Sequence, residues 1–236
     1  MGQIARRWAE IHARVQEAAA AAGRPSGVRL VAVSKTHPAE AVAEAFEAGG
    51  RDFGESYVQE HLAKREAVAA LLGPAEAQIR WHFIGRLQSN KLKKLLEAPP
   101  GRTSEGVELL HALDRASLVD AVAKAGGAPS LLQVRLGLED SKAGFEPEEV
   151  VEAVGEALRR GVRVRGLMTI PPPCEDPAVQ RAHFARLRGL LAECKARWGD
   201  AGLVELSMGM SDDFELAIEE GATLVRVGTA IFGARA

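Results

Sequence analysis

Apolar residues along this chain fall into two alternating kinds of run. Helical spacing comes first. Ile4, Trp8, Ile11 and Val15 recur at intervals of three and four, so residues 4–22 read as an amphipathic helix that Gly23 and Pro25 end. Short apolar runs follow: VRLVAVS, RDFGE, WHFIG, VELLHAL, SLLQVRL, VRVRGLM, LVELSM and TLVRVG. Helical stretches separate them, over 38–48, 57–72, from about 89, 116–124, 147–160, 177–198 and 212–220. Pro147 opens one of these, Val150, Val154, Ala157 and Leu158 share its face, and Gly161 follows its end.

Strands that are apolar on both faces and joined by helices belong to parallel sheets. Eight such units in 236 residues predict a closed (β/α)8 barrel of the TIM type with an extra helix in front. No linker or composition shift divides the chain, so residues 1–236 are expected to form one domain.

Composition narrows the function classes. The chain is 47% hydrophobic and 26% charged with a net charge of −2, a globular balance with no footprint for nucleic acid or an anionic membrane. Lys91, Lys93 and Lys94 cluster as a solvated helix face does. Cys174 and Cys194 show no metal-ligand spacing, and Cys194 falls in an apolar stripe with Phe184, Leu187, Leu191 and Trp198. The N-terminal segment lacks an apolar signal core, and no apolar run reaches the roughly 20 residues of a membrane span. The expectation is a cytoplasmic protein without a metal.

In a barrel, chemistry sits where the strands end. Lys35 closes RLVAVSK, its stem against apolar walls. Desolvation favours the neutral amine that attacks an aldehyde, although a lone lysine there is more often a solvated loop residue. The other end of the chain gives it company. SMGMSDDFELAIEEG reads as a strand end, a turn and a helix opening, with Ser211 as N-cap and Asp212 and Asp213 in the first turn. In VRVGTAIFG, Gly228 permits close backbone approach and Thr229 offers an amide and a hydroxyl. Phosphate in barrels is often bound by the loops after strands seven and eight, and strand one neighbours strand eight. A Schiff-base lysine beside a phosphate turn is the constellation expected for pyridoxal 5′-phosphate. Arg226 is either a surface ion-pair residue or an always-charged donor to the pyridine nitrogen, which would weaken the ring as an electron sink. His82, Gln88 and Asn90 face the same site or serve the core and a helix cap. Asp140, Ser141 and Lys142 form either a closing loop or a solvated turn.

At these residues the chain resembles the pyridoxal phosphate homeostasis protein family (YggS-like, or proline synthase co-transcribed homologues). The matching motifs are RLVAVSKT, RDFGE, WHFIGRLQSNK, EDSKAG, RGLM, LSMGMSDDFELAIEEG and VRVGTAIFG, which together span nearly the whole chain. The resemblance implies the fold of the alanine racemase barrel domain. It also implies Lys35 as the Schiff-base lysine, Arg226 at the pyridine nitrogen, Ser211, Gly228 and Thr229 on the phosphate, and Met168 and Ser207 lining the pocket. Three positions depart from the family pattern. Ser56 stands where asparagine is common beside the cofactor, Arg135 where QVN is usual, and Ala112 where serine is frequent.

Three functions follow as alternatives. The first is a monomeric pyridoxal phosphate carrier that maintains vitamin B6 and amino/keto acid balance and passes the cofactor to apoenzymes. The second is an amino-acid racemase or other weak pyridoxal phosphate enzyme. The third is a phosphate-sugar barrel without an aldehyde adduct. A two-base racemase needs a base on each face of its substrate, and Lys35 is the one credible base; Tyr57 is the only tyrosine.

Overall fold

Eight parallel strands pair in chain order and close on themselves, β8 returning to β1. They are β1 (Arg29–Val33), β2 (Asp52–Glu55), β3 (Arg80–Phe83), β4 (Leu109–Leu113), β5 (Ser130–Val134), β6 (Val164–Thr169), β7 (Glu205–Ser207) and β8 (Leu224–Val227). The computed structural model describes residues 2–24, 27–97, 106–137, 143–200 and 202–234. All eight strand runs of the sequence are present, and the barrel is the expected one.

The helices are α1 (Gln3–Ala21), α2 (Ala39–Glu47), α3 (Val58–Leu72), α4 (Leu92–Leu96), α5 (Ala116–Lys124), α6 (Val150–Arg159), α7 (Pro177–Trp198), α8 (Phe214–Glu219) and α9 (Thr229–Phe232). The extra helix α1 packs against α2, α8 and α9 through its buried Trp8, Ile11 and Val15 stripe. Helix α7 begins where the punctuation places it: Asp176 accepts the Ala178 amide at 2.8 Å and Pro177 opens the first turn. Two other starts come later than the sequence predicts. Residues 147–149 form a turn ahead of α6, and α8 opens at Phe214. In the latter, Asp213 and not Ser211 is the N-cap residue. The Asp213 carboxylate reaches back to the Met210 amide at 2.6 Å, so the chain is still turning at Ser211. Neither Ser89 nor Asn90 caps a helix through its side chain; both are exposed in a 3₁₀ turn.

Strand alternation divides the apolar residues into two cores. Outward residues such as Leu30, Ala32, Phe53, Trp81, Phe83, Leu132, Leu167, Val225 and Val227 pack under the helices in one large cluster. Cys194 belongs there with Phe184, Leu187 and Leu191, and burial pushes its thiol up to about 11. Inside the barrel the apolar cluster is small: Val31, Leu109, Ala112, Leu131, Met168 and Leu224. The remaining interior positions are polar, which an ordinary barrel core of branched side chains is not. Gly166, at φ +151° in β6, marks a register shift against β5; a Cβ there would lie 1.9 Å from the Glu205 carbonyl. Among the described residues no helix is long and apolar enough to cross a membrane.

Candidate functional site

The strand ends bring the two halves of the sequence prediction together. β1 and β8 pair with Val31 opposite Arg226 and Ala32 opposite Val227. One step further, a Cβ on Gly228 would sit 3.3 Å from both the side chain and the carbonyl of Val33. The small residue lets the β8 turn lie against β1 just below Lys35. Gly228 is also the N-cap of α9, so the first amides of that short helix lack intrahelical acceptors. Thr229 is exposed at its head, and Ser211 is half-buried in the neighbouring turn after β7.

Lys35 is half-buried in the turn after β1. The next residue, Thr36, has φ +67° and is the one non-glycine at positive φ among the described residues. A β-branched residue in that region is strained. A buried cluster holds the turn. The Lys64 ammonium donates to the Ser34 carbonyl at 2.6 Å and to the Glu55 and Glu60 carboxylates at 2.7 Å each, using all three of its hydrogens. Glu60 also accepts the Thr36 amide at 2.5 Å, and Ser34 Oγ donates to Glu55 at 2.7 Å. Burial raises the Glu55 carboxyl against the opposing effect of Lys64. Lys64 escaped the sequence reading because a lysine on a helix reads as surface.

Arg226 points into the barrel and is 5% exposed. Its Nη1 donates to Ser207 Oγ at 2.6 Å and its Nη2 to the Thr169 carbonyl at 2.9 Å. Among the described residues no carboxylate lies within ion-pair distance of it, so it is not a surface ion-pair residue. Burial pushes its guanidinium down to about 10, with Asp213 opposing. Met168 and Ser207 are buried beside it on the inner face of β6 and β7.

From Ser207 a line of side chains continues downward. Ser207 Oγ lies 2.8 Å from His111 Nδ1, His111 Nε2 lies 2.9 Å from His82 Nδ1, and His82 Nε2 lies 2.9 Å from Asp52 Oδ1. Arg80 clamps Asp52 with two further bonds, at 2.8 and 2.5 Å. His82 is therefore an interior residue of the lumen and not part of the core beneath the helices. Burial alone would raise the Asp52 carboxyl, but the bonds from His82 and Arg80 outweigh it and hold it well below the usual range.

Ser56 is half-buried after β2 and borders a cavity of about 450 Å³ with Tyr57, Phe83, Arg86, Gln88 and Arg115. Arg135 pairs with Glu146, and its amide donates to Phe145, tying the strand end of β5 to residues 143–146. Ala112, the third departure, packs inside the barrel. Asp140, Ser141 and Lys142 lie outside the described residues. A cavity of about 760 Å³ at the opposite face, among Arg29, Arg80, Arg163, Arg165, Glu108 and Glu205, is remote from Lys35. Among the described residues no three His, Cys, Asp or Glu side chains are grouped to hold a metal.

Residues 7–236 match the family model described as alanine racemase, N-terminal domain, which is the class of barrel that this fold and these strand ends define. The Pseudomonas aeruginosa pyridoxal phosphate homeostasis protein is 46% identical over 100% of this chain and 97% of its own length. The Aquifex aeolicus protein of the same name is 43% identical over 94% of each chain. PipY of Synechococcus elongatus PCC7942, solved with pyridoxal phosphate bound, superposes with a TM-score of 0.81 at 36% identity, covering 98% of this chain and 100% of that one. The chain belongs to the family of pyridoxal phosphate homeostasis proteins.

Proposed function

We propose that this chain binds pyridoxal 5′-phosphate covalently through Lys35 and serves the intracellular homeostasis of that cofactor, with residues 1–236 acting as one binding domain. The observation that carries the reading is the placement of Gly228 against Val33, which sets the β8 turn beside the strand end that bears Lys35. The residues present fit the group. Small-residue turns after β7 and β8 suit a phosphate, and a buried guanidinium with fixed partners suits the edge of a pyridine ring.

In this reading the Lys35 amine adds to the aldehyde carbon and water leaves as the C=N bond forms. Ser211, Gly228 and Thr229 hold the phosphate, Arg226 faces the ring nitrogen, and Met168, Ser207 and Ser56 line the pocket. When bound, the cofactor supplies an electron-accepting ring and a transferable aldehyde. Lys35 supplies an amine at the strand ends, and among the described residues no carboxylate pairs with Arg226, which favours carriage over committed turnover. A two-base racemase would need a further base, and the chain's one tyrosine, Tyr57, is 58% exposed at the head of α3. A cytoplasmic monomer that sustains vitamin B6 and amino/keto acid balance, and supplies apoenzymes, completes the proposal.

The test is the visible spectrum of the protein with added pyridoxal phosphate, before and after borohydride. A band that borohydride converts to a stable adduct on Lys35, absent in Lys35→Ala, is the expected result. No band in the wild type overturns the assignment. Steady exchange of an amino-acid Cα hydrogen, lost in Lys35→Ala, would move the reading from carrier to enzyme.

A further inference from the structure

The buried line Arg226, Ser207, His111, His82, Asp52 crosses the lumen from the strand ends that carry the site to the opposite side, linking β8, β7, β4, β3 and β2. Its two termini fix its sense. A guanidinium only donates, and an ionised carboxylate only accepts. Between them stand three groups that each accept one bond and donate one. Arg226 fills a lone pair of Ser207 Oγ, so the hydroxyl hydrogen turns to His111 Nδ1. His111 then carries its hydrogen on Nε2 and donates to His82 Nδ1. His82 in turn carries its hydrogen on Nε2 and donates to Asp52. Four links thus take four hydrogens, with none missing and none in excess. With both imidazoles neutral, the opposite tautomer at either one leaves a link without a hydrogen, which is costly in a buried setting.

We infer that His111 and His82 are positioning residues which, through this one-way hydrogen-bond chain anchored on Asp52, fix Ser207 Oγ as an acceptor for Arg226 and so hold the Arg226 guanidinium in place for the bound ring. The inference rests on the proposed cofactor only for what lies above Arg226; the chain itself is a property of the protein.

The surroundings agree. Charged groups face the imidazole pair from four strands: Arg29 on β1, Asp52 on β2, Arg80 on β3 and Arg226 on β8. Arg29 is committed to Glu205 at 2.7 Å. Burial pushes His111 well below its ordinary range, and the Arg226 and Arg29 guanidiniums act in the same sense. With one hydrogen on Ser207 and another on the Thr169 carbonyl, the Arg226 plane is held at two points.

Nitrogen-15 spectra of the imidazoles, with and without pyridoxal phosphate, read the chain directly. The expected result at neutral pH is that His111 and His82 are both neutral with hydrogen on Nε2. Hydrogen on Nδ1 of His111, or an imidazolium at either position, overturns the inference. The second test compares His111→Asn, whose side-chain oxygen can accept at the place of Nδ1, with His111→Phe, which cannot. Pyridoxal phosphate affinity is expected to fall about tenfold in the phenylalanine variant, with a displaced absorption band, and to recover largely in the asparagine variant. Equal behaviour of the two variants overturns the positioning role. If the wild type shows the predicted tautomers yet binds no pyridoxal phosphate, the cofactor reading fails and the chain stands. If it binds the cofactor with the other tautomers, the reverse holds.

Discussion

Lys64 Nζ lies 2.6 Å from the carbonyl oxygen of Ser34, so an α3 side chain grips the backbone one residue before Lys35. The same ammonium neutralises Glu55, which is 0% exposed. Support for the lysine turn and charge compensation in the core are thus one interaction.

Lys64→Met removes that ammonium and leaves the Glu55 carboxylate buried without its partner. The expected loss in urea unfolding is about 3–5 kcal/mol. Adding Glu55→Gln should recover a good part of it, since the uncompensated charge goes too. A loss below about 1 kcal/mol would mean that the cluster carries little of the stability.

Thr36 is held at φ +67°. Asparagine tolerates that conformation where a β-branched residue does not. Thr36→Asn is expected to stabilise the protein by about 1 kcal/mol, a rise of roughly 2–4 °C in Tm for a chain of this size. An unchanged or lower Tm would show that the Thr36 side chain is needed in its own right.

His61 is buried edge-on to Trp81, and burial together with Arg65 pushes its pKa down to about 4 from 6.5. The folded protein therefore binds its proton less readily than the unfolded chain does. Stability from this residue is full above pH 6.5 and is lost as the pH falls toward 4, by about 3 kcal/mol in all. His111 adds to the slope in the same sense. Subtracting the pH–stability curve of His61→Phe from that of the wild type isolates the His61 share, and a flat difference across this window would refute it.

Gly166→Ala places a Cβ 1.9 Å from the Glu205 carbonyl at a φ of +151°. The backbone of β6 must move against β7, and a loss above about 3 kcal/mol is expected in denaturant titration. Near-wild-type stability would mean that the register shift there relaxes freely.

The barrel and the pairing of Lys35 with the β8 turn were legible because periodicity gives strand order, and closure brings the first strand to the last. Three features were not. Helix starts at residues 147 and 212 failed because proline and aspartate punctuate turns as readily as first helical turns. Lys64 failed because α3 carries other charged residues, and nothing local separates a lysine facing the barrel from one facing water. The polar lumen was half-visible. Asp52, His82, His111, Ser207 and Arg226 each sit at a buried position of a different barrel strand. Read strand by strand they look like isolated exceptions; only the closed barrel shows that they meet.

That lumen bears on how such a sequence can change. An apolar barrel core accepts substitutions one at a time, since a leucine and an isoleucine each tolerate many neighbours. A line of single hydrogens does not, because removing any member strands a donor or an acceptor on each side. The residues at 52, 82, 111, 207 and 226 are therefore coupled across most of the chain, and a replacement at any one is tolerated only where it accepts and donates as the original did.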